Sequence, residues 1–395
     1  MDDINKLDPL EAETIIESFR QGTVPQQYLS LYSVGRERWL NSVSNDLLYI
    51  TNGKSKVRFI SAPYGGGKTH FCMLIKDRAL ISNFVLSYVE LHSREAPFDR
   101  FEVIFPKIMR GVIEPNGNNI EYILENWATN FRYYNAKEIE EQLRILAPSL
   151  DFRAALRTTL QYMNTESPEH TMRIQSIVAW LQGYHILTEL KGTGIRANIT
   201  VANVNEILGS FLRLIRGMGY SGLVLLLDEA DAITSLTQSK KRDEANQNIR
   251  KLLDNADEHS GLYVLFATTP KFLNDPKAGA QSYHALWTRI KDVVGNGLQQ
   301  ASSRSTVMIL PPLDRSNLEI LTNRIIDTHL IAYEWDARKY VDEAVSCEYI
   351  DKFSEQSDPY LIRVFIRTLV YILDMAEEER DAFTAERILD RIEFD

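Results

Sequence analysis

A chain of 395 residues is long enough for roughly two or three domains and a sizeable core. Its composition, 44% hydrophobic and 25% charged with 19 Gly and 13 Pro, forces no large disordered segment. A net charge of −10 has the wrong sign for a protein that coats duplex nucleic acid, so any DNA contact would fall to a local patch, an oligomer or a partner.

The two cysteines, Cys72 and Cys347, make neither a metal set nor a disulfide framework and suit a reducing cytosol. The acidic start, Met1-Asp2-Asp3, has no signal-peptide core, and no run of about 18 apolar residues is present. A soluble, cytoplasmic protein with no membrane contact is expected.

Residues 8–20 show a helical period that ends at Gly22 and Pro25. Tyr32 to Leu40 opens a second helix and includes Val34-Gly35-Arg36-Glu37. In many P-loop ATPases a segment upstream of the phosphate loop folds over adenine, so residues 1–50 are expected near that base, with Arg36 as a contact. Arg36 and Glu37 read equally well as solvated residues on a helix's first turn.

The next stretch organises the chain. An apolar, β-prone run (Val57, Phe59, Ile60) leads through Ser61-Ala62-Pro63-Tyr64 into Gly65-Gly66-Gly67, then Lys68-Thr69-His70 and a helical period at Phe71, Met73, Leu74 and Ile75. That is strand, glycine loop, helix. Glycines let such a loop turn its N–H groups towards an anion, and the helix start adds free N–H groups and a positive dipole end. Lys68 would reach the β- and γ-phosphates of ATP, and the Thr69 hydroxyl would hold Mg²⁺. The stretch departs from G-x-x-x-x-G-K-[ST] (Walker A) at its first position, where Ala62 stands.

Phe84 to Leu91 reads as a buried parallel strand with Glu90 at its carboxyl end, completing a βαβ unit. Phe98 to Val112 reads as an amphipathic helix. Residues 51–117 are thus expected to form the first half of an ATPase core. Residues 118–217 are helical and polar-rich, punctuated by Pro148, Pro168 and Gly192-Thr193-Gly194, and are expected to be an inserted helical subdomain. The basic residues there (Arg132, Arg144, Arg153, Arg157, Arg173) are scattered among acids, as on a solvated surface.

After the helix Val204 to Met218 comes Leu223-Val224-Leu225-Leu226-Leu227-Asp228-Glu229-Ala230-Asp231. An apolar run of this kind makes a strand buried on both faces and ends in two carboxylates. Asp228 would bind the Mg²⁺ shell and Glu229 would polarise the attacking water. Past a charged helix, Lys240 to Asp257, another buried strand ends in Thr268-Thr269. Either hydroxyl would serve as sensor one, bonding the water or γ-phosphate between the two Walker strands, or would simply cap the strand. Arg289 lies where an arginine finger often does, and equally reads as a surface residue. Ser305 to Leu310 is a last strand, so residues 218–312 form the second half of the core. Residues 313–395 are expected to be a helical lid, with Arg363 on the amphipathic helix that starts near Asp358-Pro359-Tyr360 as a second sensor.

With these residues in hand, the chain resembles the ATP-binding proteins of bacterial BREX-type phage-defence loci, a branch near the AAA+ and origin-recognition ATPases. The resemblance runs through Val34-Gly35-Arg36-Glu37, Tyr64-Gly65-Gly66-Gly67-Lys68-Thr69-His70-Phe71, Val89-Glu90-Leu91, Gly219-Tyr220-Ser221-Gly222, Leu227-Asp228-Glu229, Phe266-Ala267-Thr268-Thr269-Pro270 and the Arg363 helix. His70 and Phe71 are its most specific part, since a general P-loop does not need them. The resemblance implies an α/β P-loop NTPase fold of AAA+ type, ATP binding on Ala62 to His70, oligomerisation, and work among other defence-system proteins.

Two alternatives stand beside a hydrolysing motor or switch. Asp228-Glu229-Ala230-Asp231, together with the loop from Ala62 to Thr69, and Phe266-Ala267-Thr268 mimic DEAD-box helicase motifs, but the helical insertion takes up most of the interval from Lys68 to Asp228, residues 270–395 are short for a second RecA-like domain, and no His-Arg-x-Gly-Arg run appears. The other alternative is a scaffold that binds ATP without turning it over.

Overall fold

The computed structural model describes residues 4–390 except 26, 132–133, 163–167, 185–187, 189, 255–259, 292–301, 357 and 359–360. Arg132, Asp257, Pro359 and Tyr360 of the preceding reading lie outside the described residues. In chain order the first elements are α1 (Pro9–Arg20), α2 (Glu37–Thr51), β1 (Lys56–Ser61), α3 (Lys68–Ile81) and β2 (Val85–Glu90). Next come α4 (Phe101–Arg110), β3 (Val112–Ile113), α5 (Ile120–Thr129), α6 (Ala136–Leu146), α7 (Leu150–Tyr162), α8 (Pro168–Leu181) and α9 (Val204–Gly217). The remainder is β4 (Leu223–Asp228), α10 (Ser239–Asp254), β5 (Leu262–Thr268), α11 (Pro270–Asn274), α12 (His284–Ile290), β6 (Val307–Ile309), α13 (Arg315–Tyr333), α14 (Glu343–Gln356), α15 (Ile362–Glu379) and α16 (Ala385–Leu389).

Local chemistry sets several of these boundaries. Asp8 caps α1 in a reciprocal capping box with Glu11, and Pro9 opens the helix where its missing N–H costs nothing. Gly111 stops α4 short of the expected Val112, which enters the brief edge strand β3 instead. A two-residue strand has no readable alternation, so the sequence pattern merged it with the helix.

The chain divides into two compact units. One comprises Ser42–Ile60 and Ile75–Met308 and holds a six-stranded, mostly parallel sheet in the order β3-β2-β4-β5-β1-β6. β2 pairs in parallel with β4, and β4 with β5, while β3 runs antiparallel on the edge. β4 and β5 are buried along their whole length, which accounts for their unbroken apolar runs. On one face of the sheet Phe59 stacks on Phe266, with ring centroids 5.3 Å apart, and Phe98 meets Phe266 edge-on at 5.2 Å. The same hydrophobic core takes in Ile120, Trp127, Phe152 and Trp180 from α5, α7 and α8.

The other face carries charge. Arg58, in the middle of β1, is fully buried and reaches Asp46 of α2 at 2.7 Å, Ser42 at 3.0 Å and the Ser305 carbonyl at 2.7 Å. The Tyr263 hydroxyl donates to the same Asp46 at 2.7 Å. Burial, and then the Asp46 charge, push the Tyr263 phenol well above its usual range.

The second unit comprises Met1–Asn41, Ser61–Leu74 and Ile309–Asp395. Its core joins Ile15, Ile16 and Phe19 of α1 to Leu321 and Ile325 of α13 and to Phe365, Leu369 and Leu373 of α15. Among the described residues no helix is long and apolar enough to cross a membrane.

Candidate functional site

The glycine loop belongs to the second unit. Gly65 and Gly67 take φ of +78° and +82°, the left-handed region that other residues enter only at a cost. A Cβ on Gly67 would meet nothing within 4 Å, so backbone conformation alone calls for glycine there. The Gly66 N–H closes a turn onto the Pro63 carbonyl at 3.1 Å. α3 begins at Lys68, so its first N–H groups point out of the helix end into which the loop leads. Lys68 is 7% exposed; its ammonium donates to the Ala62 and Pro63 carbonyls at 3.0 and 3.1 Å and lies 5.1 Å from the centre of the exposed Tyr64 ring. Ala62 is buried, and Thr69 follows Lys68 in the first turn, partly buried.

Residues from both ends of the chain pack in this unit. Arg36 is buried and donates to the Pro311 carbonyl at 2.9 Å. Gly35, with φ +63°, leaves a Cβ position only 3.0 Å from the Asn317 side chain, at the start of α13. His70 approaches the Leu29 carbonyl at 3.3 Å through Nε2. Burial lowers its pKa to about 4, the Arg36 charge pushes the same way, and the Leu29 carbonyl opposes them. The imidazole is therefore neutral at pH 7, with Nε2–H donating to Leu29. Arg363 is exposed, and its stem lies 3.3 Å from the Cβ position of Gly22, in the bend after α1.

The carboxylates belong to the sheet unit. Asp228, 2% exposed, ends β4; its Oδ1 accepts the Glu229 N–H at 2.8 Å and its Oδ2 accepts the Tyr88 hydroxyl at 2.8 Å. Glu229 is exposed and holds φ +56°, ψ +38°. A left-handed glutamate costs about 1–2 kcal/mol, and strain of this kind clusters where function fixes the backbone. Asp231 accepts both the Thr269 N–H, at 2.9 Å, and the Thr269 hydroxyl.

Thr268 and Thr269 therefore differ. Leu227 pairs with Phe266, so strand alternation directs Thr268 to the Phe266 face and Asp228 to the opposite one. The Thr268 hydroxyl is fully buried and has no hydrogen-bond partner among the described residues. Arg289 of α12 makes an ion pair with Asp254 of α10 and donates to the Ala285 carbonyl at 2.6 Å.

The sequence reading assigned no contact to three residues that the structure ties to these elements. Tyr88 could have been flagged by standing two positions before Glu90 on an alternating strand. Asp231 stands as the last residue of the acidic run, three after Asp228. Arg58 is a charge inside an apolar strand, a signal that it must be paired.

The sheet and the turn between β1 and α3 define an α/β protein with a mostly parallel sheet and a glycine-rich turn leading into a helix start. The chain belongs to the family of BREX system ATP-binding proteins BrxC/D, whose model matches residues 7–391. Membership implies an ATP-binding role in phage defence, with partners in a defence system. No curated protein matches the chain.

Proposed function

We propose that this chain binds Mg²⁺·ATP through Ala62, Pro63, Tyr64, Gly65, Gly66, Gly67, Lys68, Thr69 and His70 and hydrolyses it, as the motor or assembly switch of an anti-phage complex. The observation that carries the reading is the buried Lys68 ammonium at the start of α3, held by two neutral carbonyls of its own loop. Phosphate oxygens are stronger acceptors for an ammonium than carbonyls, and the adjacent N–H groups add to their pull. In the sheet β5 lies between β4 and β1, the arrangement expected when a sensor strand separates the two Walker strands.

Among the described residues no three His, Cys, Asp or Glu side chains form a metal cluster. Mg²⁺ needs only one or two carboxylates when phosphates and waters supply the rest. Thr69 and Asp228 would hold it, and when bound it would neutralise charge on the phosphate oxygens. Glu229 would orient the attacking water and accept its proton. Thr268 or Thr269 would bond that water or the γ-phosphate, the Asp231 contact favouring Thr269 as the positioned hydroxyl. Arg36 would shape the adenine side, though its bond to Pro311 also gives it a structural role. His70, neutral and bonded to Leu29, would brace the loop rather than carry charge to the phosphates.

Phosphate release tests the reading. The wild type should release phosphate, and Lys68→Ala or Glu229→Gln should abolish it, with Glu229→Gln still binding ATP. Tight ATP binding without release, alone or with DNA and partner proteins, would favour the non-hydrolysing switch. Replacing Arg289 or Arg363 with Ala should reduce turnover more than nucleotide binding; unchanged turnover in both would remove them from the chemistry. Self-association is expected to strengthen with ATP, which size measurement with and without nucleotide reads directly.

A further inference from the structure

β2 and β4 run parallel with Tyr88 beside Leu226 and Glu90 beside Asp228. Paired residues of parallel strands project to the same face, so Tyr88, Glu90 and Asp228 share one face at the carboxyl end of the sheet. The half-buried Tyr88 ring spans the gap between its own strand and the next. Its hydroxyl donates to Asp228 Oδ2 at 2.8 Å and lies 3.5 Å from Glu90 Oε1. The Glu229 N–H holds the other oxygen, Oδ1, at 2.8 Å. Asp228 is thus gripped at both oxygens, by a backbone donor on one side and a phenol on the other.

We propose that Tyr88 is a positioning residue for Asp228, fixing the plane of the carboxylate so that its remaining lone pairs are presented to the Mg²⁺ shell. The inference rests on the ATP reading above and adds to it a residue that no phosphate-loop motif contains. A carboxylate held at one oxygen turns about its terminal torsion, which is broad and soft. A second donor, given by a side chain anchored in the neighbouring strand, removes that freedom. Packing alone does not require the hydroxyl, since phenylalanine fills the same space.

Tyr88→Phe is therefore the informative substitution. Binding of a fluorescent ATP analogue is measured across a Mg²⁺ titration and again in EDTA. The wild type should bind more tightly with Mg²⁺. In Tyr88→Phe the affinity in EDTA should stay within about twofold of wild type, while the Mg²⁺ concentration for half-effect rises about tenfold, the scale of one hydrogen bond to a charged group. Asp228→Asn should remove most of the Mg²⁺ effect, and Tyr88→Phe added to it should change nothing further, because coupled residues are non-additive. An unshifted Mg²⁺ titration in Tyr88→Phe overturns the inference while leaving the ATP reading intact. So does an equal loss of affinity in EDTA, or a Tyr88→Phe effect that persists in the Asp228→Asn background. Nucleotide binding with no Mg²⁺ dependence in the wild type would overturn both.

Discussion

Arg58 in the sheet unit and Arg20 in the loop unit each bind an aspartate, in different surroundings. Arg58 is fully enclosed, and its guanidinium is shared among Asp46, Ser42 and the Ser303 and Ser305 carbonyls. Arg20 makes a two-pronged pair with Asp374, both bonds at 3.0 Å, and donates to the Tyr333 hydroxyl at 3.1 Å, but its side chain is 37% exposed. Asp374 shows the balance of this half-open setting. Burial pushes its pKa up, yet the hydrogen bonds from His329 and Arg20 hold it below the usual carboxylate value. The contrast teaches where the charge is structural. In the sheet unit an ion pair joins α2, β1, β5 and the chain before β6, with little water to replace a lost partner; in the loop unit water shares the work.

The comparison can be broken from its strongest end. Arg58→Met should strand Asp46 without its main partner and cost about 3–5 kcal/mol in urea denaturation. Lys56 also makes an ion pair with Asp46, so a loss below about 1 kcal/mol would mean that Lys56 and Tyr263 satisfy Asp46 unaided.

The next effect is pH-dependent and belongs to the loop unit. His70 has a folded pKa of about 4 against an ordinary 6.5, so below about pH 6.5 the unfolded chain takes up a proton that the folded chain refuses. Stability should fall progressively between those two values, by at most about 3 kcal/mol. His70→Gln should remove this component, read as the difference between the two proteins' unfolding midpoints at pH 7 and pH 5. Equal midpoint losses in the two would show that His70 is not the acid-sensitive group.

The smallest effect is expected at Arg20. Arg20→Met should cost about 1 kcal/mol or less, since a part-exposed pair is screened by water and salt. A loss as large as that of Arg58→Met would erase the distinction between the units.

The same contrast explains what could be read in advance. β1, the glycine loop, β4 and β5 were legible because buried parallel strands need continuous apolar runs and a left-handed turn needs glycine; Leu223–Leu227 and Gly65–Gly67 show both. The loop unit's composition was not legible. Residues 1–41, 61–74 and 309–395 are far apart in sequence, and nothing local in Ile16 or Phe19 says that Leu321 and Phe365 will cover them. Contacts set by register were hidden for a related reason. Tyr88 meets Asp228 only because β2 and β4 align Glu90 with that residue, and pairing register is a property of the assembled sheet. The expected equivalence of Thr268 and Thr269 likewise ended with the pairing of Leu227 and Phe266.

Equilibrium ATP binding by wild type and Lys68→Ala, with circular dichroism to show that both are folded, addresses the central claim most directly. Removing one charge-assisted contact to phosphate should weaken binding by about tenfold or more. Equal affinity in the two folded proteins would place the nucleotide elsewhere and contradict the account of the glycine loop.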